Sequence, residues 1–154
     1  MPPVSILLNL LWIFLGGAWM AAGWLIAAVI MAITIIGIPW ARAAFNIAVY
    51  TLLPFGQRAV SRDLVTGESD IGTGPLGLIG NLIWLVLAGW WLALGHLVTG
   101  ALMCLTIIGI PLGLANFKLV PVSLLPLGRD VVTIEEARRL GAPVEVAVAS
   151  DPRR

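Results

Sequence analysis

The chain has 154 residues, of which 60% are hydrophobic and 11% charged, with a formal net charge of +1 and a mean hydropathy of +1.02. Soluble domains carry roughly 25% charged residues, and a chain this short has no interior able to hide so much apolar surface, so its solvent is lipid. The nine basic residues are scattered, which speaks against a nucleic-acid partner, and the single cysteine, Cys104, excludes an intramolecular disulfide or a cysteine metal cluster.

Met1 to Ala41 contains no Asp, Glu, Lys or Arg. A secretory signal would start with basic residues and stop after about 7–15 apolar ones. This stretch starts Met1-Pro2-Pro3 and runs on, so a membrane segment is expected instead. Unbroken apolarity without alternation predicts helix rather than barrel. As one helix, residues 4–38 would extend about 50 Å against a hydrocarbon core of about 30 Å. The segment therefore tilts steeply or folds back as an apolar helical hairpin, with Gly16-Gly17 as the expected bend and Trp19 beside it at the membrane–water interface.

"TIIGIP", residues 34–39, is the next signal. Pro39 cannot donate an N–H and restricts Ile38, Gly37 frees the backbone, and Thr34 offers a hydroxyl to a carbonyl left unpaired. The break either lines a pathway through the membrane or turns a corner between two helices, with Pro39 in the first turn of the second. In the helix that follows, Arg42, Asn46 and Tyr50 make one polar stripe opposite Phe45, Ile47, Val49 and Leu52, which predicts an interfacial helix carrying Arg42 at the membrane surface. Residues 1–60 thus form a first unit and 61–75 an exposed, Gly-, Ser- and Asp-rich linker.

The same organisation returns in residues 76–132. Aligning 9–60 with 81–132, an offset of seventy-two, gives 23 identities in 52 positions without a gap. They include Asn9/Asn81, Trp12/Trp84, Gly17/Gly89, Thr34/Thr106, Gly37/Gly109, Pro39/Pro111 and Gly56/Gly128, residue types that do not coincide by chance in apolar sequence. Ala88-Gly89 matches the first bend, Trp90 and Trp91 flank it, and Lys118 is the interfacial basic residue of the second copy. The tail, 133–154, opens on Thr133 with Glu136 three residues on, a capping-box spacing that predicts a short helix near 134–140 and frayed residues after Gly141.

Arg58 and Arg62 beside the linker, and Arg129, Arg138 and Arg139 after the second unit, place linker and C-terminus on the cytoplasmic side by the positive-inside rule. Each unit then crosses an even number of times and the repeats run parallel. The expected fold is all-α and multi-pass. Asn9 and Asn81 form an intramembrane polar pair that either glues the two copies together or lines a pore. His96, at the position of Trp24, is expected to be an interfacial or helix-bonding imidazole.

The paired "IIGIP" breaks, "NLIWLVLAGWWLALGHLVTG", "GIPLGLANFKL" and "LLPLGRDVV" resemble the YccF family of the bacterial inner membrane. The resemblance covers residues 5 to about 135. It implies a small multi-pass inner-membrane protein and brings no catalytic residue, metal or cofactor with it. Family members start with a basic residue that Met-Pro-Pro-Val lacks, so the side of the N-terminus stays open. The residues favour a non-enzymatic structural or partner-interaction module in the bilayer, as a homo-oligomer or with another membrane protein. The alternative is a small channel lined by the two broken corners.

Overall fold

The computed structural model describes residues 3–142. Each half of the chain passes through the same order of elements. The first half has α1 (Pro3–Trp12), a π-helical turn (Ile13–Gly17), α2 (Ala18–Ile33), a tight turn (Ile35–Gly37), α3 (Ile38–Leu52), β1 (Gln57–Ser61) and α4 (Arg62–Thr66). The second has α5 (Pro75–Trp84), a π-helical turn (Leu85–Gly89), α6 (Trp90–Met103), α7 (Gly109–Leu124), β2 (Arg129–Thr133) and α8 (Ile134–Arg139). Three helical stretches are long and apolar enough to cross a membrane, Pro3–Ile33, Ile35–Leu52 and Pro75–Met103.

The chain folds back at a different place from the one expected. α1 does not pack along α2; the closely packed pairs are α2 with α3 and α6 with α7, joined at the Gly-Ile-Pro elbows. Gly16 does kink the first half, at φ 140°, a conformation open to glycine alone. The π-helical turn keeps the backbone bonded across that kink, with the Ala18 N–H on the Ile13 carbonyl, so the helix is redirected without reversing. At the elbow, Thr34 is extended and α3 begins at once, with Pro39 in its first turn. Small residues on the facing stripes, Ala21 and Ala28 against Ala43, Ala44 and Ala48, let the two helices approach closely.

A second difference is that the fold contains strand. β1 and β2 pair antiparallel, Gln57 opposite Thr133 and Ser61 opposite Arg129, so an all-α description omits a two-stranded ribbon joining the halves. Its centre is Ala59 opposite Val131, two residues that are seventy-two positions apart. The predicted exposed linker is also partly folded. Arg62 is buried at the start of α4, and the backbone of Gly72 packs on that of Gly128. The core spans both halves: Trp12, Trp24, Ala44, Ile47 and Tyr50 meet Trp84, Leu112, Ala115 and Leu119, with Trp24 and Trp84 stacked at 6.1 Å. The predicted tail helix forms at Ile134–Arg139, with the Thr133 hydroxyl accepting from the Glu136 N–H. The expected fraying after Gly141 lies mostly outside the described residues.

Candidate functional site: polar latches and a charged cap

Asn9 and Asn81 do not glue the two copies together as expected, because each amide is taken up within its own half. Each closes on the segment that follows the third long helix of its own half. Asn9 Nδ2 donates to the Phe55 carbonyl and its Oδ1 accepts from the Phe55 N–H, both at 3.0 Å. Asn81 repeats this on Leu127, donating at 3.3 Å and accepting at 2.9 Å. Pro54 and Pro126 have ended the helices there, and Gly56 (φ 85°) and Gly128 (φ 75°) turn the chain towards the ribbon. An asparagine amide presents one donor and one acceptor side by side, the pattern of a peptide group, and so pairs an irregular piece of backbone as a strand would. One turn on, Trp12 Nε1 donates to the Thr51 carbonyl at 2.6 Å and Trp84 Nε1 to the Ser123 carbonyl at 2.8 Å. These indoles close carbonyls at the C-terminal ends of α3 and α7, which have no partner within the helix.

The elbows form apolar tips, where Ile35, Ile36 and Ile107 are more than four-fifths accessible while Gly37 and Gly109 are buried. Thr34 Oγ1 donates to the Met31 carbonyl at 3.0 Å, and the Gly37 N–H reaches the Thr34 carbonyl at 2.6 Å. In the second elbow Thr106 Oγ1 donates to Met103 O at 3.3 Å and also accepts from the Gly109 N–H at 3.0 Å. The hydroxyls satisfy backbone groups that the break in the helix leaves open. Glycine is required by space: a Cβ on Gly37 would lie 2.5 Å from Thr34 Oγ1, and one on Gly109 would collide with the Met103 carbonyl. Pro39 and Pro111 are placed in the first turns of α3 and α7.

Arg42 is exposed on α3, whereas the Lys118 ammonium is held across the two halves. Its Nζ donates to the carbonyls of Pro54 (2.9 Å) and Gln57 (3.0 Å) and sits 5.6 Å from the ring centroid of Tyr50. Asn46, the residue matching Lys118, donates to Asp130 at 2.9 Å. Asp130 also accepts from Arg62 Nε at 3.3 Å, and Arg62 pairs in addition with Asp70 and donates to the Arg129 carbonyl. The Gly72 N–H, and with it the Arg62 guanidinium, hold the Asp70 carboxyl below its ordinary value of 3.8, against the opposing effect of partial burial. This charged cap is the part that reading the sequence missed. One signal was present: Asp130 stands at the position of Arg58, an inversion of charge between the copies, with Arg62 four residues on.

One further polar pair lies within the helices. His96 Nδ1 is 3.1 Å from Asn116 Oδ1, joining α6 to α7 as the helix-bonding reading of His96 expects.

The inner membrane component domain named YccF matches twice, over residues 7–57 and 79–129. The inner membrane protein YccF of Escherichia coli (strain K12) is 39% identical over 132 residues, 85% of this chain and 89% of that protein, and the one of Shigella flexneri gives the same figures. No solved structure matches. Two domain matches and near end-to-end similarity lead to one conclusion: the chain belongs to the YccF family of inner membrane proteins.

Proposed function

We propose that this protein is a non-enzymatic structural module of the inner membrane. In this reading two tandem, parallel copies of one helical unit are clasped through their charged cap, and the cap and tail face a membrane-protein partner on the cytoplasmic side. One observation carries it: six of the polar side chains on the apolar helices and their elbows are engaged by the chain's own backbone. Asn9, Asn81, Trp12, Trp84, Thr34 and Thr106 each bond main-chain atoms within their own half. A donor or acceptor held in this way is not available to a passing solute. The acidic residues among those described lie in α4, the loop after it, β2 and α8, outside the long apolar helices. A carboxylate at membrane depth, the usual mark of proton-coupled transport, is missing from that set. Arg58, Arg62 and Arg129 share the cap with the ribbon, which supports its cytoplasmic placement by the positive-inside rule.

The channel alternative asks the two elbows to converge on a path. The atoms nearest the two elbow glycines come from Met31 and Thr34 in one case and Met103 and Thr106 in the other, so each elbow is packed by its own half. Purified protein in liposomes is expected to pass neither small ions nor neutral solutes above the lipid background. Capture from native membranes by tagged protein is expected to bring down a membrane-protein partner, and to lose it when cap residues Arg58 and Arg129 are changed to Glu. Solute flux that Gly37→Leu together with Gly109→Leu abolishes would replace the module by the channel.

A further inference from the structure

Between α2 and α6 runs an open groove of about 560 Å³. Gly23 and Trp24 on one wall face Trp91, Gly95 and His96 on the other. Thr99 at its end also borders a second pocket of about 340 Å³ that reaches Thr106 and Gly109 of the second elbow. The volume lies in the range of small-ligand sites.

Two features set this groove apart from a packing defect. The first is its glycines. A Cβ placed on Gly100 or Gly113, elsewhere in the same hairpin, would strike Phe117 or Cys104, so packing explains those residues. A Cβ on Gly23 or Gly95 meets nothing within 4 Å. Glycine weakens a helix interior relative to alanine, and at these two positions no contact among the described residues accounts for it. Both open onto the groove. The second feature is His96, only 3% exposed. Asn116 Nδ2 is directed at the Leu112 carbonyl and Met103 Sδ, which leaves Asn116 Oδ1 as the acceptor and puts the proton on His96 Nδ1. Nε2 is then an acceptor with no hydrogen-bond partner among the described residues, in a ring that lines the groove. The matching positions in the first half are Trp24 and Ala44, so this polar pair occurs in one copy only.

We infer that the groove binds an uncharged membrane amphiphile, its hydroxyl donated to His96 Nε2 and its apolar body laid along Gly23, Gly95 and Thr99. A charged headgroup is disfavoured because no Lys, Arg, Asp or Glu lines the groove, and an unpaired charge there would be desolvated without compensation. A lipid alcohol such as a diacylglycerol and a quinol share this chemistry.

The test uses the full chain in phosphatidylcholine nanodiscs, offered 1,2-dioleoylglycerol, decylubiquinol, the methyl ether of each, or oleate. Retained probe is measured by mass spectrometry after gel filtration, and the His96 imidazole ¹⁵N resonances are followed. One of the two hydroxyl probes is expected to be retained about tenfold better than its methyl ether, the worth of one hydrogen bond, and to shift Nε2 while sparing Nδ1. Which of the two is retained identifies the source. His96→Phe is expected to erase the preference over the ether. Gly95→Leu and Gly23→Leu are expected to lose the probe with thermal stability kept. Equal retention of alcohol and ether, preference for oleate, an unmoved Nε2 resonance, or dimers that Gly95→Leu converts to monomers would each overturn the assignment.

Discussion

Side chains that stand in for backbone are what these sequences select at the residue scale. Asn9 and Asn81 each satisfy a peptide group that a terminated helix leaves open. Replacing either with Ala strands a buried carbonyl and N–H, and is expected to lower stability by about 1–3 kcal/mol. Thermal unfolding in detergent micelles, followed by tryptophan fluorescence, checks this; Asn9→Ala should cost no less than Asn81→Ala, because the Asn81 donor bond is the longer. Glycines divide in the same way. Gly109→Ala forces a methyl into the Met103 carbonyl and is expected to be strongly destabilising, whereas Gly23→Ala meets open space and is expected to be neutral or stabilising by up to about 1 kcal/mol. The polar pair was legible from sequence because asparagine in an apolar run needs a partner. Which partner was not, because the choice depends on where α3 ends, forty-six residues away.

At the scale of the element, the Gly-Ile-Pro elbow was legible and its consequence was not. A proline without an N–H beside a glycine announces a break, and the break is where α3 and α7 begin. That the same break reverses the chain, while Gly16-Gly17 only redirects it, follows from alanine stripes on α2 and α3 that look featureless in an apolar sequence. The two elbows also differ chemically. Thr106 Oγ1 serves both a carbonyl and the Gly109 N–H, while Thr34 Oγ1 serves a carbonyl alone and the Gly37 N–H turns to the Thr34 backbone. Thr106→Val is therefore expected to destabilise more than Thr34→Val, by about one hydrogen bond's worth, 0.5–1.5 kcal/mol, in the same unfolding assay. The five-residue strands escaped the sequence reading because each finds its strand partner, among the described residues, in the other half of the chain. Their alternation is too short to register, and nothing local signals the pairing.

For the whole molecule, the charged cap joins the halves alongside the core they share. Arg62 sits between Asp70 and Asp130, with side chains 10%, 23% and 24% exposed. Removing the arginine leaves two half-buried carboxylates facing each other, so Arg62→Met is expected to loosen the cap, read as faster amide exchange across Gln57–Ser61. Acid acts on the same point. The folded-state pKa of Asp70 is depressed, so the stability it adds is present above its ordinary 3.8 and is lost as pH falls through the lower folded value. Unfolding temperature measured down through the acid range should drop there, and less so in Asp70→Asn. The ribbon carries one more consequence. Its register places Ala59 opposite Val131, the residue at the matching position of the second half. During synthesis β1 emerges long before β2 and waits with an open edge, one that an identical edge from a second nascent chain can satisfy in the same register. Covalent tandem linkage gives the cognate strand an effective concentration that a neighbouring polypeptide on the ribosome cannot match, which favours the pairing of β1 with β2 of the same chain.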